Sequence, residues 1–306
     1  MGFKVTILGS SAAVPTIYRS LSSQVLEHQQ TLFLLDCGEG AQLQMLKYAI
    51  KLHRIDHIFI SHLHGDHYLG LQGFLNTLSM EGRKKQLTLY APQPLQEFLN
   101  AGLTLSDGGG LNFPLRFIAL EEGKATTIFD NEHLTVETVP LFHRIPTFGF
   151  IFREKTKDRN IKRSFVETYR PDYLTIKEIK KGADFTDNQG NIIKNETITT
   201  TPKTPLSYAY FSDTRFDESL AEFLSGVDVL YHEATFSDAE THLASERYHA
   251  TSRQAATLAK KAKVKCLLLG HISSRFLNNT GALEQQAQEV FPCSMVVADG
   301  NEYNIR

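Results

Sequence analysis

The chain has 306 residues, of which 42% are hydrophobic and 22% charged, and its formal net charge at pH 7 is −2. This is the composition of an ordinary globular protein with enough chain for a sizeable core. It excludes a uniformly basic protein, but it leaves room for a local patch that binds nucleic acid.

The sequence predicts a cytoplasmic protein without a membrane partner. No apolar run approaches the roughly 18 residues of a membrane span, and the N-terminus lacks the basic start and cleavage site of a signal peptide. The three cysteines, Cys37, Cys266 and Cys293, are dispersed and form no CxxC pair. An odd, scattered set of this kind is typical of reduced thiols rather than of a disulfide framework.

The first 80 residues predict alternating strands and helices. Strands are expected at residues 1–8, 31–35 and 58–60, where β-branched and aromatic residues form short apolar runs. A loop of small residues at 9–16 follows the first strand. A Gly38-Glu39-Gly40 turn leads into a helix at 41–49, and a further helix is expected at about 68–80.

The most informative stretch is residues 61–67, Ser-His-Leu-His-Gly-Asp-His, directly after the third predicted strand. His62 and His64 are two residues apart, so in an extended backbone they point the same way and can share one metal ion. Gly65 lets the chain turn, so Asp66 and His67 can face a second ion about 3.5–4 Å from the first. The alternative is a chance histidine cluster on a surface loop.

Three later apolar runs each end in a residue of a metal-ligand type: 134–142 before His143, 208–212 before Asp213 and 266–270 before His271. Taken singly, His143 or His271 could be a packed core histidine. Strands that alternate with helices indicate an α/β architecture, in which sites collect at strand ends. As members of one set, all three are therefore expected to be ligands.

Together these residues predict two metal sites. Imidazole and carboxylate ligands suit zinc, and also manganese or iron. Binding between two such ions lowers the pKa of water to about 7 and makes it a nucleophile at neutral pH. With Asp213 as the bridge, one site would hold His62, His64 and His143, and the other Asp66, His67 and His271.

Residues 154–205 depart from the strand–helix pattern. This segment has few apolar runs and many charges, with a basic first part and further lysines that include Lys177. One interpretation is a solvated insertion. The other is a basic arm that contacts phosphates, inserted in a single domain that spans 1–306.

The pattern His62-x-His64-x-Asp66-His67 resembles the signature of the metallo-β-lactamase superfamily. The remaining metal ligands of that superfamily match His143, Asp213 and His271 in order. The resemblance implies an α/β fold, a four-layered αβ/βα sandwich with an inserted arm, and two Zn²⁺ at its edge.

Within that superfamily the chain resembles the ribonuclease Z family over nearly its whole length. The family cleaves precursor tRNA as a zinc-dependent endonuclease, removing the 3′ trailer to leave a 3′-hydroxyl on the tRNA and a 5′-phosphate on the trailer. The resemblance also implies a homodimer. It rests on residues 211–215 (Phe-Ser-Asp-Thr-Arg), 232–236 (His-Glu-Ala-Thr-Phe), 249–251 (His-Ala-Thr), 271–275 (His-Ile-Ser-Ser-Arg) and 15–19 (Pro-Thr-Ile-Tyr-Arg).

The resemblance also implies catalytic roles. His249 would give a proton to the departing ribose 3′ oxygen, and Glu233 would hold it and raise its pKa. Asp66 would be both a ligand and the group that orients or deprotonates the attacking water. The structural alternatives are that Glu233 caps a helix, and that His249 merely precedes one whose N-cap is Thr251 or Ser252. The expected substrate contacts are Arg275, Arg19 and Lys177.

Two alternatives to this function remain open. Bacterial members of the family typically carry a Gly-Pro motif in the arm, and residues 154–205 contain no such pair. The first alternative is a hydrolase of the same superfamily that acts on small phosphodiesters, sulfate esters or lactones. The second is a catalytically inactive RNA-binding member, which would lack some of the ligands.

Overall fold

Two seven-stranded β-sheets form the framework of the chain. The structure is a computed structural model that describes residues 3–104 and 110–306, without the side chain at position 104. Its strands are, in chain order, β1 (Phe3–Gly9), β2 (Ser23–His28), β3 (Thr31–Cys37), β4 (Ile55–Phe59), β5 (Leu87–Ala91), β6 (Leu115–Ala119), β7 (Thr127–Asp130), β8 (Leu134–Leu141), β9 (Thr147–Glu154), β10 (Asn160–Ile161), β11 (Phe185–Thr186), β12 (Ile192–Ile193), β13 (Thr199–Thr200), β14 (Ser207–Phe211), β15 (Val229–Glu233), β16 (Cys266–Gly270), β17 (Ser294–Val296) and β18 (Glu302–Ile305).

Ten α-helices accompany these strands among the described residues. They are α1 (Ala41–Lys47), α2 (Gly65–Tyr68), α3 (Leu71–Met80), α4 (Pro94–Thr104), α5 (Arg163–Tyr169), α6 (Tyr173–Lys180), α7 (Asn195–Ile198), α8 (Thr241–Arg247), α9 (Ser252–Lys261) and α10 (Thr280–Gln288). None of the described helices is long and apolar enough to cross a lipid bilayer.

The strand order gives each sheet a parallel half. The first sheet runs β18-β1-β2-β3-β4-β5-β6 and the second β17-β16-β15-β14-β9-β8-β7. Strands β3 to β6 are parallel to one another, and so are β14 to β17. Because the carboxyl ends of parallel strands meet at one edge of a sheet, the polar residues that follow these strands are brought together.

Helices cover the outer face of each sheet, and aromatic side chains fill the space between the sheets. Buried residues of α1, α3 and α4 pack on the first sheet, and those of α9 and α10 on the second. Between the sheets, the ring of Phe59 lies 5.3 Å from Phe150 and 5.4 Å from Phe152. This layering confirms the predicted αβ/βα sandwich.

Helix α9 illustrates how the sequence specifies these layers. Thr251 is its N-cap, and Gln254 completes a capping box. Its buried positions Ala255, Ala256, Leu258 and Ala259 follow helical spacing, so one face packs on the second sheet. Of the two N-cap residues that the sequence suggested, Thr251 and Ser252, the N-cap is thus Thr251.

Residues 153–205 form a second compact unit together with residues 131–134. This unit has its own small core of Phe165, Ile179 and Ile198. Its strands form two short antiparallel pairs, β10 with β13 and β11 with β12. Residues 153–205 therefore belong to a folded unit with a core of its own.

The bounds of two helices differ from those predicted from the sequence. Helix α1 ends at Lys47 rather than at 49, and the helix predicted at about 68–80 is two helices, α2 and α3. The break is explained at Gly70, where an added Cβ would lie 2.2 Å from the carbonyl oxygen of Gly38. The backbone must pass this close so that Gly70 N can donate to Cys37 O.

Candidate metal centre and active site

Seven side chains predicted to bind metal converge at the strand ends. The structure groups His62, His64, His143 and Asp213, and separately Asp66, His67 and His271, with the potential ligand atoms of each group within 4.8 Å of one another. These are the two groups that the sequence predicted.

The two carboxylate oxygens of Asp213 face different groups. Oδ2 lies 3.6 Å from His62 Nε2 and 3.7 Å from His143 Nε2. Oδ1 lies 3.4 Å from His67 Nε2 and 3.2 Å from His271 Nε2. Ligand atoms held about 2.0–2.2 Å from a tetrahedral ion lie roughly 3.3–3.6 Å apart, so this spacing fits an ion on each side of Asp213.

Two of these imidazoles donate a hydrogen bond to a carboxylate or a backbone carbonyl outside the cluster, which fixes their tautomer. His67 Nδ1 donates to Asp36 Oδ2 at 2.8 Å, and His143 Nδ1 donates to the carbonyl of Tyr248 at 2.9 Å. In both rings the Nε2 lone pair is therefore left facing the cluster. His67 Nε2 is fully buried and has no hydrogen-bond partner, as expected for an atom that binds a metal.

Hydroxyl groups fix two further imidazoles. Ser61 Oγ donates its proton to Asp36, so it accepts from His62 Nδ1 at 3.0 Å. Thr235 Oγ1 donates to Glu233 at 2.6 Å, so it accepts from His271 Nδ1 at 2.9 Å.

The buried carboxylates of the cluster favour a bound cation. Burial opposes ionisation of Asp213, but the imidazoles around it, His271 first, hold the pKa of its carboxyl well below its usual range. Buried carboxylates need a compensating positive charge. A divalent metal supplies that charge while leaving the imidazoles neutral, so the residues present fit a metal centre.

Two residues at the site have left-handed backbone conformations. Asp36 and His271, at the ends of β3 and β16, both have φ of 53°. This region costs a non-glycine residue roughly 1–2 kcal/mol, and such residues concentrate at functional sites. The conformation turns His271 toward the cluster directly after β16, and turns Asp36 toward it at the carboxyl end of β3.

Glu233, which is buried, and His249, which is half-buried, form a pair beside the predicted metal ligands. Glu233 Oε1 accepts from His249 Nδ1 at 2.7 Å and from Thr214 N at 2.9 Å. Glu233 therefore caps no helix, which excludes the structural alternative for it. Burial lowers the pKa of His249, but the Glu233 carboxylate more than offsets this and raises the pKa to about 9. The Glu233 carboxylate thus favours the protonated form of the His249 ring, whose Nδ1 it holds.

A cleft of about 810 Å³ opens over the cluster. Arg144, Arg247 and Arg275 line it, together with His249 and Asp66. Arg275 is held at the rim, 2.7 Å from Glu240, with its guanidinium 4.9 Å from the ring centre of Phe236. Among the described residues, Arg144 and Arg247 have no ion-pair partner, so both are available to an anionic ligand.

The three predicted substrate contacts lie in different surroundings. Arg275 lines the cleft, as expected, and Lys177 is exposed on α6 in the second unit. Arg19 is buried, with Nη1 donating to Ser10 Oγ at 2.7 Å and to the carbonyl of Val297 at 2.6 Å. Arg19 therefore anchors its own loop, and its guanidinium is not available to a substrate.

Several residues of the site were missed from the sequence. Asp36 follows an apolar strand, so the rule that found Asp213 could have found it. Arg144 directly follows His143, but an exposed arginine carries no signal of its own. The hydrogen bond from His143 to the carbonyl of Tyr248 could not be predicted, because every residue has a backbone carbonyl and the two residues are 105 positions apart.

Comparison with known proteins identifies the family. Residues 3–176 match the family model described as anti-Pycsar protein Apyc1. The chain is 38% identical to ribonuclease Z of Parabacteroides distasonis over 99% of both chains, and 41% identical to ribonuclease Z of Phocaeicola vulgatus over 97% of this chain and 96% of that one. The chain belongs to the ribonuclease Z family. Unlike the Apyc1 match, these ribonuclease Z alignments include the part that carries Asp213, Glu233, His249 and His271.

Solved structures agree with this placement in the ribonuclease Z family. Human tRNase Z, short form (ELAC1), superposes with a TM-score of 0.70 at 27% identity, covering 99% of both chains. The metallo-β-lactamase fold protein YhfI from Bacillus subtilis also gives a TM-score of 0.70, at 18% identity over 99% of this chain and 100% of that one. The predicted metallo-β-lactamase fold is confirmed.

Proposed function

We propose that this chain is a metal-dependent endonuclease that removes the 3′ trailer from precursor tRNA. The observation that carries the proposal is the Glu233–His249 pair, which places a proton donor beside a two-site metal cluster. Membership of the ribonuclease Z family and the similarity to human tRNase Z support the choice of substrate. The seven expected ligand side chains form two groups that could each hold a metal ion, which argues against an inactive RNA-binding member.

The proposed metal centre holds two zinc ions, with manganese or iron as the alternatives. His62, His64 and His143 would hold one ion, Asp66, His67 and His271 the other, and Asp213 both. Bound there, the ions would supply Lewis-acid stabilisation of the phosphate and an acidified water.

Residues of the chain itself would orient the attacking water and protonate the leaving group. Asp66, whose Oδ2 accepts from Ala13 N at 2.9 Å, orients the attacking water. His249 gives its proton to the leaving 3′ oxygen, and Glu233 stabilises the imidazolium before transfer. Breaking the bond from phosphorus to the 3′ oxygen leaves a 3′-hydroxyl on the tRNA and a 5′-phosphate on the trailer.

Basic side chains provide the proposed substrate contacts. Arg144, Arg247 and Arg275 line the cleft and would pair with phosphates on either side of the scissile bond. The second unit carries 12 basic and 8 acidic side chains over residues 153–205, a net charge of +4 in a chain whose total is −2. It is the proposed contact for the body of the tRNA, with Lys177 among its exposed cations.

We also propose a homodimer and a cytoplasmic location. Leu43 and Leu46 of α1 are 69% and 58% exposed, and Tyr18 is 71% exposed. Ser20 Oγ accepts from Gln44 Nε2 at 2.6 Å, which holds the loop that contains Tyr18 against α1. Exposed apolar side chains that lie together mark protein interfaces. Leu43→Glu should give the monomer mass in light scattering; a wild-type monomer would exclude the dimer.

The proposed cytoplasmic location rests on the cysteines. Their free thiols fit a reducing compartment.

The proposed function is tested by comparing two substrates. Purified protein should cleave a precursor tRNA with a 3′ trailer, and chelator should abolish the cleavage until zinc is restored. His64→Ala should lose cleavage, whereas His53→Ala, which alters an exposed histidine outside the cluster, should keep it. No tRNA cleavage alongside rapid hydrolysis of bis(p-nitrophenyl) phosphate would favour the small-phosphodiester hydrolase instead.

A further inference from the structure

The carboxylate of Asp36 collects four hydrogen bonds beneath the metal cluster. Oδ2 accepts from His67 Nδ1 at 2.8 Å, from Ser61 Oγ at 2.8 Å and from the hydroxyl of Tyr210 at 2.7 Å. Oδ1 accepts from Ser61 N at 2.7 Å. All four residues are buried. Because His67 Nδ1 is held by Asp36, the direction of the lone pair on His67 Nε2 depends on how this carboxylate is held.

Tyr210 is the donor that reaches Asp36 from the opposite sheet. Asp36 is the next-to-last residue of β3 and Ser61 follows β4, both in the first sheet, whereas Tyr210 lies on β14 of the second. β14 leads directly to Asp213, whose Oδ1 lies 3.4 Å from His67 Nε2. The Tyr210 hydroxyl therefore joins the two sheets at the place where each contributes a ligand to the same site.

We propose that Tyr210 is a positioning residue of the metal centre. Its hydroxyl restrains Asp36, and Asp36 in turn fixes His67 toward the ion. This inference rests on the metal binding in the proposed function, but not on the substrate. Residues that orient a ligand directly contribute roughly 10- to 100-fold to metal affinity. Tyr210 acts one contact further out, so we expect its hydroxyl to contribute about 3- to 10-fold by the same reasoning.

The same strand offers a matched control in Tyr208. Tyr208 lies two residues earlier on β14, so its side chain is on the same face of the sheet, and it is also fully buried. Its hydroxyl donates to Gln24 Oε1 at 2.5 Å and does not contact Asp36. Tyr208→Phe and Tyr210→Phe therefore each remove one buried tyrosine hydroxyl, but only the second alters the group that orients His67.

The experiment measures zinc retention by the full-length protein against increasing concentrations of a competing chelator. Tyr210→Phe should lose half of its zinc at a chelator concentration about 3- to 10-fold lower than wild type does, whereas Tyr208→Phe should match wild type. Equal retention by the two variants would overturn the proposal. Thermal melts of the chelator-stripped proteins check that both variants fold and are destabilised to a similar extent.

A double-mutant cycle separates positioning from general destabilisation. Asp36→Asn should weaken zinc retention more than Tyr210→Phe does. In the Asp36→Asn background, adding Tyr210→Phe should have little further effect, because the group that Tyr210 restrains is already altered. Fully additive losses would contradict a shared path through Asp36. The readout is metal retention, so it stands even if the protein does not cleave precursor tRNA.

Discussion

At the scale of single residues, the account depends on which nitrogen of each imidazole faces the cluster. Four rings are held through Nδ1 by a carboxylate, a carbonyl or a hydroxyl, which leaves Nε2 for an ion. His249 differs because its Nδ1 partner, the Glu233 carboxylate, raises its pKa and so favours the protonated ring. In the proposed mechanism the same side chain is therefore a ligand at some positions and an acid at another, according to its partner.

Replacing His249 tests its assignment as the acid. His249→Ala should lower turnover of precursor tRNA by about 10²- to 10⁴-fold, the usual contribution of a general acid. Its metal content, measured by mass spectrometry, should stay at the wild-type level. The metal content is the decisive control, because His249 lies within ligand distance of Asp213 and His271. A variant that loses metal would identify His249 as a ligand instead.

A histidine far from the cluster predicts how stability depends on pH. His57 on β4 packs among aromatic rings, 4.8 Å from Phe129 and 5.4 Å from Phe33, and burial lowers its pKa to about 4. The unfolded chain, with a pKa near 6.5, binds the proton first as the pH falls. His57 therefore costs stability progressively from pH 6.5 down to 4, by about 2 kcal/mol between pH 7 and pH 5.

His57→Phe should remove this part of the acid sensitivity. Urea unfolding at pH 7 and pH 5 measures it, using chelator-stripped protein so that metal release does not contribute. The variant should lose about 2 kcal/mol less than wild type between the two pH values. Equal losses would mean that His57 is solvated in the folded protein.

At the scale of elements, strand ends were more predictable than helix ends. The ligands at positions 62, 143, 213 and 271 follow apolar runs whose pattern alone indicates buried strands. The break between α2 and α3 was not predictable, because it arises from the close approach of Gly70 to Gly38, a contact between distant parts of the chain. The same limit applies to Tyr210, whose partner Asp36 lies 174 residues away on the other sheet.

The second unit should contribute to tRNA binding and not to the chemistry. Replacing residues 155–200 by a short glycine–serine linker should raise KM for precursor tRNA while leaving hydrolysis of bis(p-nitrophenyl) phosphate unchanged. The unit has a hydrophobic cluster of its own, formed by Phe165, Ile179 and Ile198, so we expect the core of the sheets to fold without it. Equal loss of both activities would mean that the unit is structural.

Charge variants of this unit provide a milder version of the test. Lys177→Glu with Lys180→Glu reverses two exposed charges on α6 and should weaken tRNA binding about tenfold, with a smaller salt dependence. Lys260→Glu with Lys263→Glu, at the end of α9, is the matched control and should have little effect.

At the scale of the whole molecule, each sheet supplies part of the proposed active site. The first sheet carries the 61–67 stretch and Asp36, and the second carries Asp213, Glu233 and His271. One cleft lies between them, and its lining includes five of the predicted ligands together with His249: His64, Asp66, His143, Asp213 and His271. The two-sheet architecture therefore brings residues of the proposed metal centre and the proposed proton donor, His249, to the same cleft.

The chemistry of the new RNA ends tests this account most directly. Cleavage of a precursor tRNA labelled on both sides of the junction should give a trailer with a 5′-phosphate and a tRNA with a free 3′-hydroxyl. Those ends require attack by water and departure of the protonated 3′ oxygen, the step assigned to His249. A 2′,3′-cyclic phosphate or a 3′-phosphate on the tRNA would mean that the 5′ oxygen leaves instead, and would contradict the mechanism.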